Sequence, residues 1–504
     1  MATSVPLHFE EGYLTSLSAD CSLQKHVRMH SYTAQYDHMF AKFQLPIIAV
    51  CMLLIGSCDL HEKPVTEGLQ SDRLVVIAVN SPGSYYEDSD GISAGLEFDL
   101  VKDFAKELGL GVSFKVMPGI SHALLALQAS EGHFAAGLNV SDRHSEGTLF
   151  GPVYQHLQSQ LVYNTDYPKP RVIMDIIGSK IELSSGGSHS ELMKALQLKN
   201  PDLKWVEMEN PFDETLERLS EGKIDYAVSD STQINLAKNF YPNLATAFNL
   251  GGETGKAWSF SPGSDPQLVE KANQFFKRIE QDGTLKILID RHYGHIHRLN
   301  QMDVGGILMK RRTVLPDLRD HFHQAEELTG IDWRLIAALA YHESHWDRLA
   351  TSPTNVRGIM MLTEATADRM NVKDRLDARQ SILAGARYLH LLKEKLPYRI
   401  AEPDRTWIAL AAYNLGYGHL EDARILSKKM GLSPDLWVDM RKVLPLLSHS
   451  QYFEELKHGY ARGGGAVILA ESVRVYHDIL MRYEKPNIPG FSQNDLTPQL
   501  LYSR

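Results

Sequence analysis

Cysteine is nearly absent from this chain. Only three of its 504 residues are cysteine, namely Cys21, Cys51 and Cys58, and none follows Cys58. The long remainder therefore cannot form a disulfide or a thiolate metal site. A folded region without cysteine suits an oxidising compartment.

A basic surface is also missing. The formal net charge is -10 and the pI is about 6.1, whereas a nucleic-acid-binding protein needs lysine and arginine to neutralise phosphates. Nucleic acid is therefore excluded as the main partner, while a carbohydrate is not. The hydrophobic content of 43% and the length indicate a globular protein of two or three domains.

Long apolar runs are scarce as well. The run at residues 45–55 is short for a membrane-spanning helix but has the length of a signal-peptide core. It ends in Ile55-Gly56-Ser57-Cys58, which resembles the lipobox of bacterial lipoproteins and implies that Cys58 carries the lipid. We therefore expect an extension before the natural start at residues 1–38, a lipoprotein signal peptide at 39–58 and a polar tether at 59–72.

A lipid anchor would hold the chain at the periplasmic face of a bacterial membrane, because several acyl chains together give stable binding. The outer membrane is expected, although Asp59 after the cysteine favours the inner membrane in enteric bacteria. An uncleaved anchor and a chance apolar run are the alternative interpretations of this segment.

Residues 73–297 alternate between two patterns. The β-branched run LVVIAV at residues 74–79 predicts a buried strand, and residues 112–116 predict another. Between them lies an amphipathic helix that carries Phe104 and Leu108 and is closed by Gly109. Such alternation predicts an α/β domain.

Residues 298–504 lack strand-like runs. Apolar residues recur at spacings of three and four in residues 334–346, 380–393 and 406–415, which predicts long helices. The sequence therefore predicts a two-domain protein, in which an α/β region precedes an all-α domain, with the boundary at 297/298.

One carboxyl group in the helical region has an unusual setting. In IDWRLIAALAYHESHW at residues 331–346, Asp332 is placed to cap a helix, and Glu343 shares a face with Leu335 and Leu339. An apolar face and a position near the helix C-terminus both raise a carboxyl pKa. Donation of a proton to a glycosidic oxygen requires such a group. A structural glutamate paired with His342 or His345 is the alternative.

Four motifs in this region resemble the soluble-lytic-transglycosylase family. They are Glu343-Ser344, GIMMLT at 358–363, AGARYL at 384–389 and AAYNLG at 411–416. The stretches AYHESHWD at 340–347 and GYARG at 459–463 resemble its membrane-bound F branch, in which an α/β module precedes the lytic domain. The resemblance implies a lysozyme-like fold and cleavage of peptidoglycan between N-acetylmuramic acid and N-acetylglucosamine.

The resemblance also implies roles for single residues. Glu343 would be the general acid and then the general base, and Ser344 would steady Glu343 or the substrate acetamide. Tyr413 and Asn414 would line the cleft beside the acid, with Asn414 hydrogen bonded to sugar. Tyr460 would lie near the scissile bond.

Met360 would form the cleft wall by the same resemblance. Core packing is the alternative for Met360, Tyr413 and Tyr460. The chain departs from the family at Met361, where the wider family has glutamine, and at residues 464–465, where two glycines replace bulkier polar residues. The glycines bear on the local shape of the cleft and not on the chemistry.

A second catalytic carboxylate is not evident. Ordinary glycosidases flank the bond with two, but Asp347 is too close in sequence to Glu343 to lie across a sugar, and Glu364 starts a later helix. The resemblance implies that Glu343 protonates the leaving oxygen and then accepts the C6 hydroxyl proton, which yields a 1,6-anhydro sugar. A hydrolytic muramidase and a non-catalytic sensor of wall fragments are the alternatives. No cofactor is expected, and no metal, because His342 and His345 lack a third ligand.

The front region resembles the bilobed periplasmic solute-binding proteins of amino-acid transporters. The motifs are GLEFDL at 95–100, SDR at 141–143, FGPVY at 150–154 and GKIDYAVSD at 222–230. The resemblance implies that Arg143 pairs with a ligand carboxylate, that Asp230 holds a ligand amine, and that Tyr85 or Tyr86 stacks over the ligand. A surface salt bridge for Arg143 and a structural role for Asp230 are the alternatives.

We expect the ligand of this module to be a muropeptide or amino-acid-like, and we expect its binding to regulate the lytic domain. The crossovers between the two lobes are expected near residues 164–169 and 249–253.

Overall fold

The computed structural model of the protein describes residues 72–81, 83–87, 93–140, 148–209, 212–296 and 299–487. These residues belong to one compact unit, Pro64–Arg504. The expected extension, the signal peptide with Cys58, nearly all of the tether and Arg143 lie outside the described residues.

The front region alternates strands and helices, as its sequence predicts. Its strands are β1 (Arg73–Val79), β2 (Tyr86–Glu87), β3 (Ser93–Ala94), β4 (Gly111–Met117), β5 (Phe134–Asn139), β6 (Leu149–Phe150), β7 (Gln155–Asn164), β8 (Ile181–Ser184), β9 (Val206–Met208), β10 (Tyr226–Asp230) and β11 (Leu244–Phe260). Its helices are α1 (Leu96–Leu108), α2 (Ile120–Gln128), α3 (Ser188–Gln197), α4 (Phe212–Ser220), α5 (Ser231–Ala237), α6 (Pro266–Gln281) and α7 (Thr284–Tyr293), with a 3-10 turn at Ile173–Ile176.

The main sheet has the strand order β4-β1-β5-β11-β7-β10-β8-β9, with β6 paired to β11. Strand β1 runs parallel to β4 and β5, and β8 runs parallel to β9 and β10. The antiparallel strands β7 and β11, of 10 and 17 residues, lie between these two groups. The module therefore has two lobes joined by two long strands, and this confirms the bilobed α/β fold.

Each lobe has its own core. In the first lobe, Trp258 stacks on Phe134 at 4.5 Å between ring centroids and lies 5.2 Å from Phe104. Leu288 of α7 belongs to the same cluster, which fixes α7 to the first lobe. The second lobe has a mainly aliphatic core around Leu161 and Leu183.

The crossovers differ in part from their prediction. Strand β11 shifts register between Asn249 and Glu253, within the predicted segment. Residues 164–169, however, follow the end of β7 inside the second lobe, where the Thr165 amide donates to the Asn243 carbonyl. The prediction for 164–169 is wrong because β7 itself passes between the lobes as one unbroken strand.

After residue 299 the described chain forms helices and no strand, which confirms the all-α second domain. The helices are α8 (Gln301–Thr313), α9 (Arg319–Thr329), α10 (Trp333–Ser344), α11 (Glu364–Arg369), α12 (Ala378–Lys395), α13 (Asp404–Leu415), α14 (Tyr417–Lys429), α15 (Trp437–Val443), α16 (Ser450–Phe453) and α17 (Gly463–Tyr483), with 3-10 turns at Leu315–Asp317 and Leu444–Ser448. Within the described residues, no helix is both long and apolar enough to cross a membrane.

Helix α10 lies in the centre of the helical domain. All nine residues from Trp333 to Tyr341 are buried, so the helix is enclosed on every side except at its last turn. The core around it continues into the front module, because Phe240 and Tyr241 of the second lobe belong to the same cluster as Trp333. The two regions are thus packed together through apolar side chains.

Candidate active site

Glu343 lies in the last turn of α10. The Asp332 carboxylate caps the start of this helix by accepting from the Arg334 amide at 2.7 Å. Burial raises the pKa of the Glu343 carboxyl to about 8, because desolvation penalises the charged form. Part of the side chain is nevertheless accessible from outside, so the proton it holds can reach a substrate.

No histidine pairs with Glu343 among the described residues. Burial, and after it the nearby His345, lowers the pKa of His342 to about 4, so that His342 is neutral near pH 7. His345 instead ends α10 in the left-handed conformation, with φ 52°, and its carbonyl accepts from Lys310 Nζ at 3.0 Å. The positive charge of a lysine at this point also interacts favourably with the negative, C-terminal end of the helix dipole.

The chain after α10 turns back in an unusual conformation. His345, Trp346, Asn355 and Met361 all have positive φ, between 45° and 61°. Each such residue costs roughly 1–3 kcal/mol and persists only where its surroundings enforce it. The loop at residues 351–362, closed by a bridge between Arg357 and Leu362, must therefore be fastened from several sides.

Ser344 provides one of these fastenings. Its hydroxyl lies 2.8 Å from the Ile359 carbonyl of the loop and 3.2 Å from the Ala340 carbonyl of its own helix. The hydroxyl therefore joins the helix end that carries Glu343 to the loop. A contact between Ser344 and the substrate acetamide stays a prediction.

Arg375 provides another fastening, which the sequence did not suggest. Its Nη1 donates to the carbonyls of Asn355 at 2.6 Å and Leu362 at 3.1 Å. A Cβ at Gly358, whose φ is 81°, would lie 1.8 Å from the Arg375 carbonyl oxygen. Only glycine fits at position 358. The close approach of the loop to the Arg375 backbone and the hydrogen bonds of the Arg375 side chain therefore hold the same segment. No motif spacing marks this arginine, because its partners are backbone carbonyls.

Met360 is not where the sequence placed it. Its side chain is fully buried, and its Cε lies 2.6 Å from the position a Cβ on Gly385 would take. The expectation that this side chain forms the cleft wall is therefore wrong, and the core alternative holds. Its methyl end fills the space that Gly385 of the AGARYL motif leaves on α12.

Tyr413 meets the backbone of Met360 instead. Its hydroxyl donates to the Met360 carbonyl at 2.9 Å. Burial raises the pKa of Tyr413 well above its usual range, and the negative charge of Glu343 adds to this effect. The hydrogen that the Tyr413 hydroxyl can donate is therefore used by the backbone of the loop.

Asn414 and Tyr460 are the exposed members of the predicted set. The Asn414 Oδ1 atom would lie 3.7 Å from a Cβ on Gly465, so the end of α13 faces the start of α17. Tyr460 is 54% exposed and meets Phe453 edge-on at 5.7 Å between ring centroids. No hydrogen bond joins Tyr460 to Glu343 within the described residues, and its place beside the scissile bond stays a prediction.

The electrostatic surroundings of Glu343 indicate whether a second carboxylate lies close to it. Asp347 and Glu364 are both exposed, and burial is the only influence on the pKa of Glu343. A carboxylate held close by would raise that pKa as well. Among the described residues, therefore, the acid has no charged partner.

The front module has a cleft between its lobes. Of the described ligand-binding candidates, its lining includes Tyr85 and Asp230 but not Tyr86. Tyr85 is buried, its hydroxyl is 3.0 Å from Ser93 Oγ and its ring lies 4.6 Å from that of Phe114. The Oδ1 atom of Asp230 accepts from two amides at the start of α5. Asp230 therefore has a structural role as the cap of α5, and this role uses only one of its two carboxylate oxygens.

The cleft also contains charged groups that the sequence did not single out. Glu97 is buried and accepts from the Tyr154 hydroxyl at 2.5 Å and from Trp258 Nε1 at 3.2 Å. Burial raises the pKa of Glu97, and Lys256 opposes that rise. His189 lies in the same lining, is buried, and has no hydrogen-bond partner for its Nε2 atom. Such a buried donor or acceptor suits ligand binding.

Polar contacts cross the cleft and hold the lobes together. Asn139 Nδ2 of the first lobe donates to Ser188 Oγ of the second at 3.0 Å, and Gln233 Nε2 of the second donates to Ser81 Oγ of the first at 2.9 Å. The lobes are therefore close together in this conformation.

Two family models match the chain. Residues 74–295 match the bacterial extracellular solute-binding proteins, family 3, and residues 320–432 match the transglycosylase SLT domain. Among solved structures, an ancestral arginine-binding protein bound to arginine aligns with 44% of this chain and 99% of that chain, at 22% identity and a TM-score of 0.41.

Curated relatives match along most of their length. A membrane-bound lytic murein transglycosylase F of Nitrosospira multiformis is 62% identical over 88% of this chain and 92% of its own length. One of Methylobacillus flagellatus is 47% identical over 89% of this chain and 96% of its own length. With both modules present in the same order, the chain belongs to the membrane-bound lytic murein transglycosylase F family.

Proposed function

We propose that the chain is a lytic transglycosylase that cleaves the β-1,4 bond between N-acetylmuramic acid and N-acetylglucosamine in peptidoglycan and leaves a 1,6-anhydro-N-acetylmuramic acid end. The observation that carries this proposal is the Glu343 carboxyl, which burial alone keeps protonated up to a pH of about 8. Membership of the membrane-bound lytic murein transglycosylase F family supports peptidoglycan as the substrate.

In the first step, Glu343 donates its proton to the glycosidic oxygen, the bond from that oxygen to C1 of N-acetylmuramic acid breaks, and N-acetylglucosamine leaves with a free hydroxyl. Positive charge develops at C1, where the substrate acetamide stabilises it. In the second step, the Glu343 carboxylate removes the proton of the C6 hydroxyl while O6 bonds to C1. The acid is regenerated and no water is consumed.

The neighbouring residues have supporting roles in this proposal. Asn414, exposed at the end of α13, hydrogen bonds to sugar, and Tyr460 borders the groove near the bond that breaks. Ser344 and Tyr413 act through the loop at 351–362, since both hydroxyls bond to its carbonyls. Met360 contributes its backbone carbonyl and its packing.

The test is product analysis. Purified protein is incubated with peptidoglycan sacculi, and the soluble products are identified by mass spectrometry. Anhydro-muropeptides are expected, and Glu343→Gln should abolish them while the exposed Glu364→Gln leaves them unchanged. Reducing ends would indicate a hydrolytic muramidase, and intact sacculi would indicate a non-catalytic sensor of wall fragments.

We further propose that the front module binds a muropeptide or amino-acid-like ligand and thereby regulates the helical domain. A route for this regulation begins in the first lobe. Arg474 of α17 donates to the Arg291 carbonyl of α7 at 2.8 Å, and Asp478 of α17 lies 2.6 Å from His295 Nε2, just after α7.

The second lobe contacts the same helix farther along. Arg482 of α17 donates to the Tyr241 hydroxyl at 2.8 Å, and its guanidinium lies 4.5 Å from the ring centroid of Phe240. A change in the spacing of the lobes therefore acts on α17 at two points. Helix α17 packs in turn on the catalytic helix, where Tyr476 meets Tyr341 at 4.8 Å.

Calorimetry with muropeptides and with free amino acids tests the sensing role. Asp230→Asn should abolish the heat of binding, since an asparagine still caps α5 but loses the charge that holds an amine. Asp202→Asn, an exposed change in the same lobe, should not. Absence of heat with both ligand classes would overturn the sensing role.

We also propose that Cys58 is lipidated and anchors the chain to the periplasmic face of a membrane, the outer one by expectation, through the tether at 59–72. The word "membrane-bound" in the names of the relatives supports this. Cys58→Ser should move the protein from the membrane fraction to the soluble fraction. The proposed boundary between the modules remains at 297/298.

A further inference from the structure

A row of three side chains crosses the floor of the cleft between the lobes, because Lys256 of β11 lies directly opposite Asn139 of β5 and Gln155 of β7. Side chains of directly opposite residues on paired strands share one face of the sheet. Asn139 Nδ2 donates to Ser188 Oγ of the second lobe at 3.0 Å. Gln155 Nε2 donates to Thr232 Oγ1 of the same lobe at 3.4 Å. The Lys256 side chain therefore points into the cleft, between two contacts that cross it.

Lys256 is buried in the lining of the cleft, with 7% of its surface exposed. Its ammonium group forms no hydrogen bond and no ion pair with any residue that the structure describes. Lys256 opposes the rise of the Glu97 pKa that burial causes, so the two charges attract each other without forming an ion pair. Both Glu97 oxygens are already hydrogen bonded, one to Tyr154 and the other to Trp258. The N–H groups of the ammonium are therefore available to a ligand.

A buried ammonium selects an anion as its partner. The burial of an unpaired charge is costly, and an opposite charge in hydrogen-bond contact offsets that cost. A carboxylate also makes a stronger hydrogen bond to an ammonium than a neutral carbonyl or hydroxyl does. The ligands proposed for this cleft supply such anions, because amino acids and the acidic residues of peptide stems carry carboxylates. Since Arg143 is expected to hold one ligand carboxylate and Asp230 the amine, Lys256 provides for a second carboxylate.

We propose that Lys256 binds a second carboxylate of the ligand, so that the front module prefers acidic ligands, namely amino acids or stem peptides that carry an amine and two carboxylates. The inference rests on the proposed sensing role of this module, and it names the class of ligand that the module recognises. The bound carboxylate lies on the cleft floor between the cross-cleft contacts of Asn139 and Gln155. The charge of Lys256 is thus neutralised at the place where the two lobes meet.

The experiment uses calorimetry on the full chain to compare ligands that differ in one carboxylate. The pairs are glutamate and glutamine, diaminopimelate and lysine, and stem peptides whose glutamyl carboxylate is free or amidated. In each pair that binds, wild-type protein should bind the acidic member about tenfold more tightly. Lys256→Met should remove this preference and still bind the neutral member, whereas Lys256→Arg should retain most of the preference. Lys271→Met, which removes an exposed lysine of α6 in the same lobe, is the matched control and should keep the full preference.

Other outcomes have distinct meanings. Equal affinity of wild-type protein for the two members of every pair that binds would overturn the proposal. An equal loss for both members in Lys256→Met would also overturn it, because the lysine would then serve only to balance Glu97. Tighter binding of inorganic phosphate than of the acidic ligands would overturn the carboxylate assignment. Wild-type protein that gives no heat with any amino acid, stem peptide or muropeptide would instead defeat the sensing role itself.

Discussion

Glu343 combines an apolar setting with partial access, and its chemistry follows from that combination. With a pKa of about 8, the general acid is protonated across the neutral range. We expect kcat/KM on sacculi to be level below pH 7 and to fall about tenfold per pH unit above 8. A pH–rate profile measures this. Activity that increases through pH 8 would contradict an acid role for this carboxyl.

The burial of Glu343 also lowers the stability of the folded protein at pH values where the carboxyl is ionised. Its pKa is about 8 in the folded protein against an ordinary 4.5, so the folded state binds more protons between these values, and stability falls as pH rises from 4.5 to 8. Glu343→Gln should therefore be more stable than wild type, by an amount that grows over this window to the order of a few kcal/mol. Thermal unfolding at pH 5 and pH 8.5 measures the difference. If the stability difference between Glu343→Gln and wild type is the same at both pH values, the carboxyl is not desolvated in the folded protein.

Tyr413 is expected to act by holding the loop. Tyr413→Phe removes the hydrogen bond to the Met360 carbonyl and should cost about 1 kcal/mol of stability, together with a clear loss of kcat. Tyr417→Phe is the matched control, because it removes a bond of equal length, 2.9 Å, to the Lys395 carbonyl at an exposed position. A similar loss of activity in both variants would argue against a special role for Tyr413.

For single residues, the sequence predicted which residues belong to the site better than it predicted where their side chains lie. Glu343 could be placed in an apolar environment because helical spacing fixes its neighbours. Met360 was misplaced because a motif with two consecutive methionines does not show which side chain enters the core; Met360 is buried, whereas Met361 has positive φ and is partly exposed.

The loop at 351–362 is the element on which the groove depends. The loop is held by Ser344 of α10, by Tyr413 of α13 and by Arg375 before α12. Arg375→Ala removes two hydrogen bonds to loop carbonyls. We expect about a tenfold loss of kcat with a smaller change in KM, because the loop loses its position before the substrate loses its contacts.

Two further variants give this prediction its control. Arg375→Lys can make one of the two bonds and should recover part of kcat. Arg379→Ala, which removes a single exposed bond to Gln324, should keep full activity. A Tm decrease in Arg375→Ala with unchanged kcat would show that the arginine serves stability alone.

Elements with regular periods were predictable, and irregular ones were not. Strand β1 and helix α10 follow from their apolar runs, because each run is long enough to identify its element and most of its residues are buried. The crossover through β7 was missed because a strand that leaves one lobe and enters the other keeps its alternation throughout. The 351–362 loop has no period, and its shape depends on Ser344, Tyr413 and Arg375, which lie outside it.

At the scale of the whole molecule, the described residues between 72 and 487 belong to one compact unit. The helical core extends to Phe240 and Tyr241 of the second lobe, while the first-lobe side adds polar contacts at the end of α7 to the apolar packing of Tyr293 and Ile296. An apolar contact resists separation, whereas a polar contact can exchange partners with water at small net cost. If the lobes move relative to each other, the first lobe is therefore the one that shifts against the helical domain.

Arg441 allows this asymmetry to be tested. It bonds to the Asp290 carboxylate and to the Gly294 carbonyl of the first lobe at the end of α7. Burial raises the pKa of Asp290, and Arg441 is the largest influence that opposes the rise. Arg441→Ala leaves that carboxylate without its main cation, and we expect a loss of about 2–3 kcal/mol of stability at pH 7.5.

The loss should be smaller at pH 4.5, because a carboxyl whose pKa rises further on losing its cation becomes protonated there and no longer needs one. Thermal unfolding of wild type, Arg441→Ala and Lys442→Ala at both pH values measures this. Lys442 is the adjacent control, since its partner Asp439 lies on the same helix. If the two variants lose equal stability, or if the loss from Arg441→Ala does not depend on pH, the contact between the first lobe and α15 does not hold the modules together. A loss confined to Arg441→Ala would identify the polar contact that ligand-driven movement of the first lobe must break.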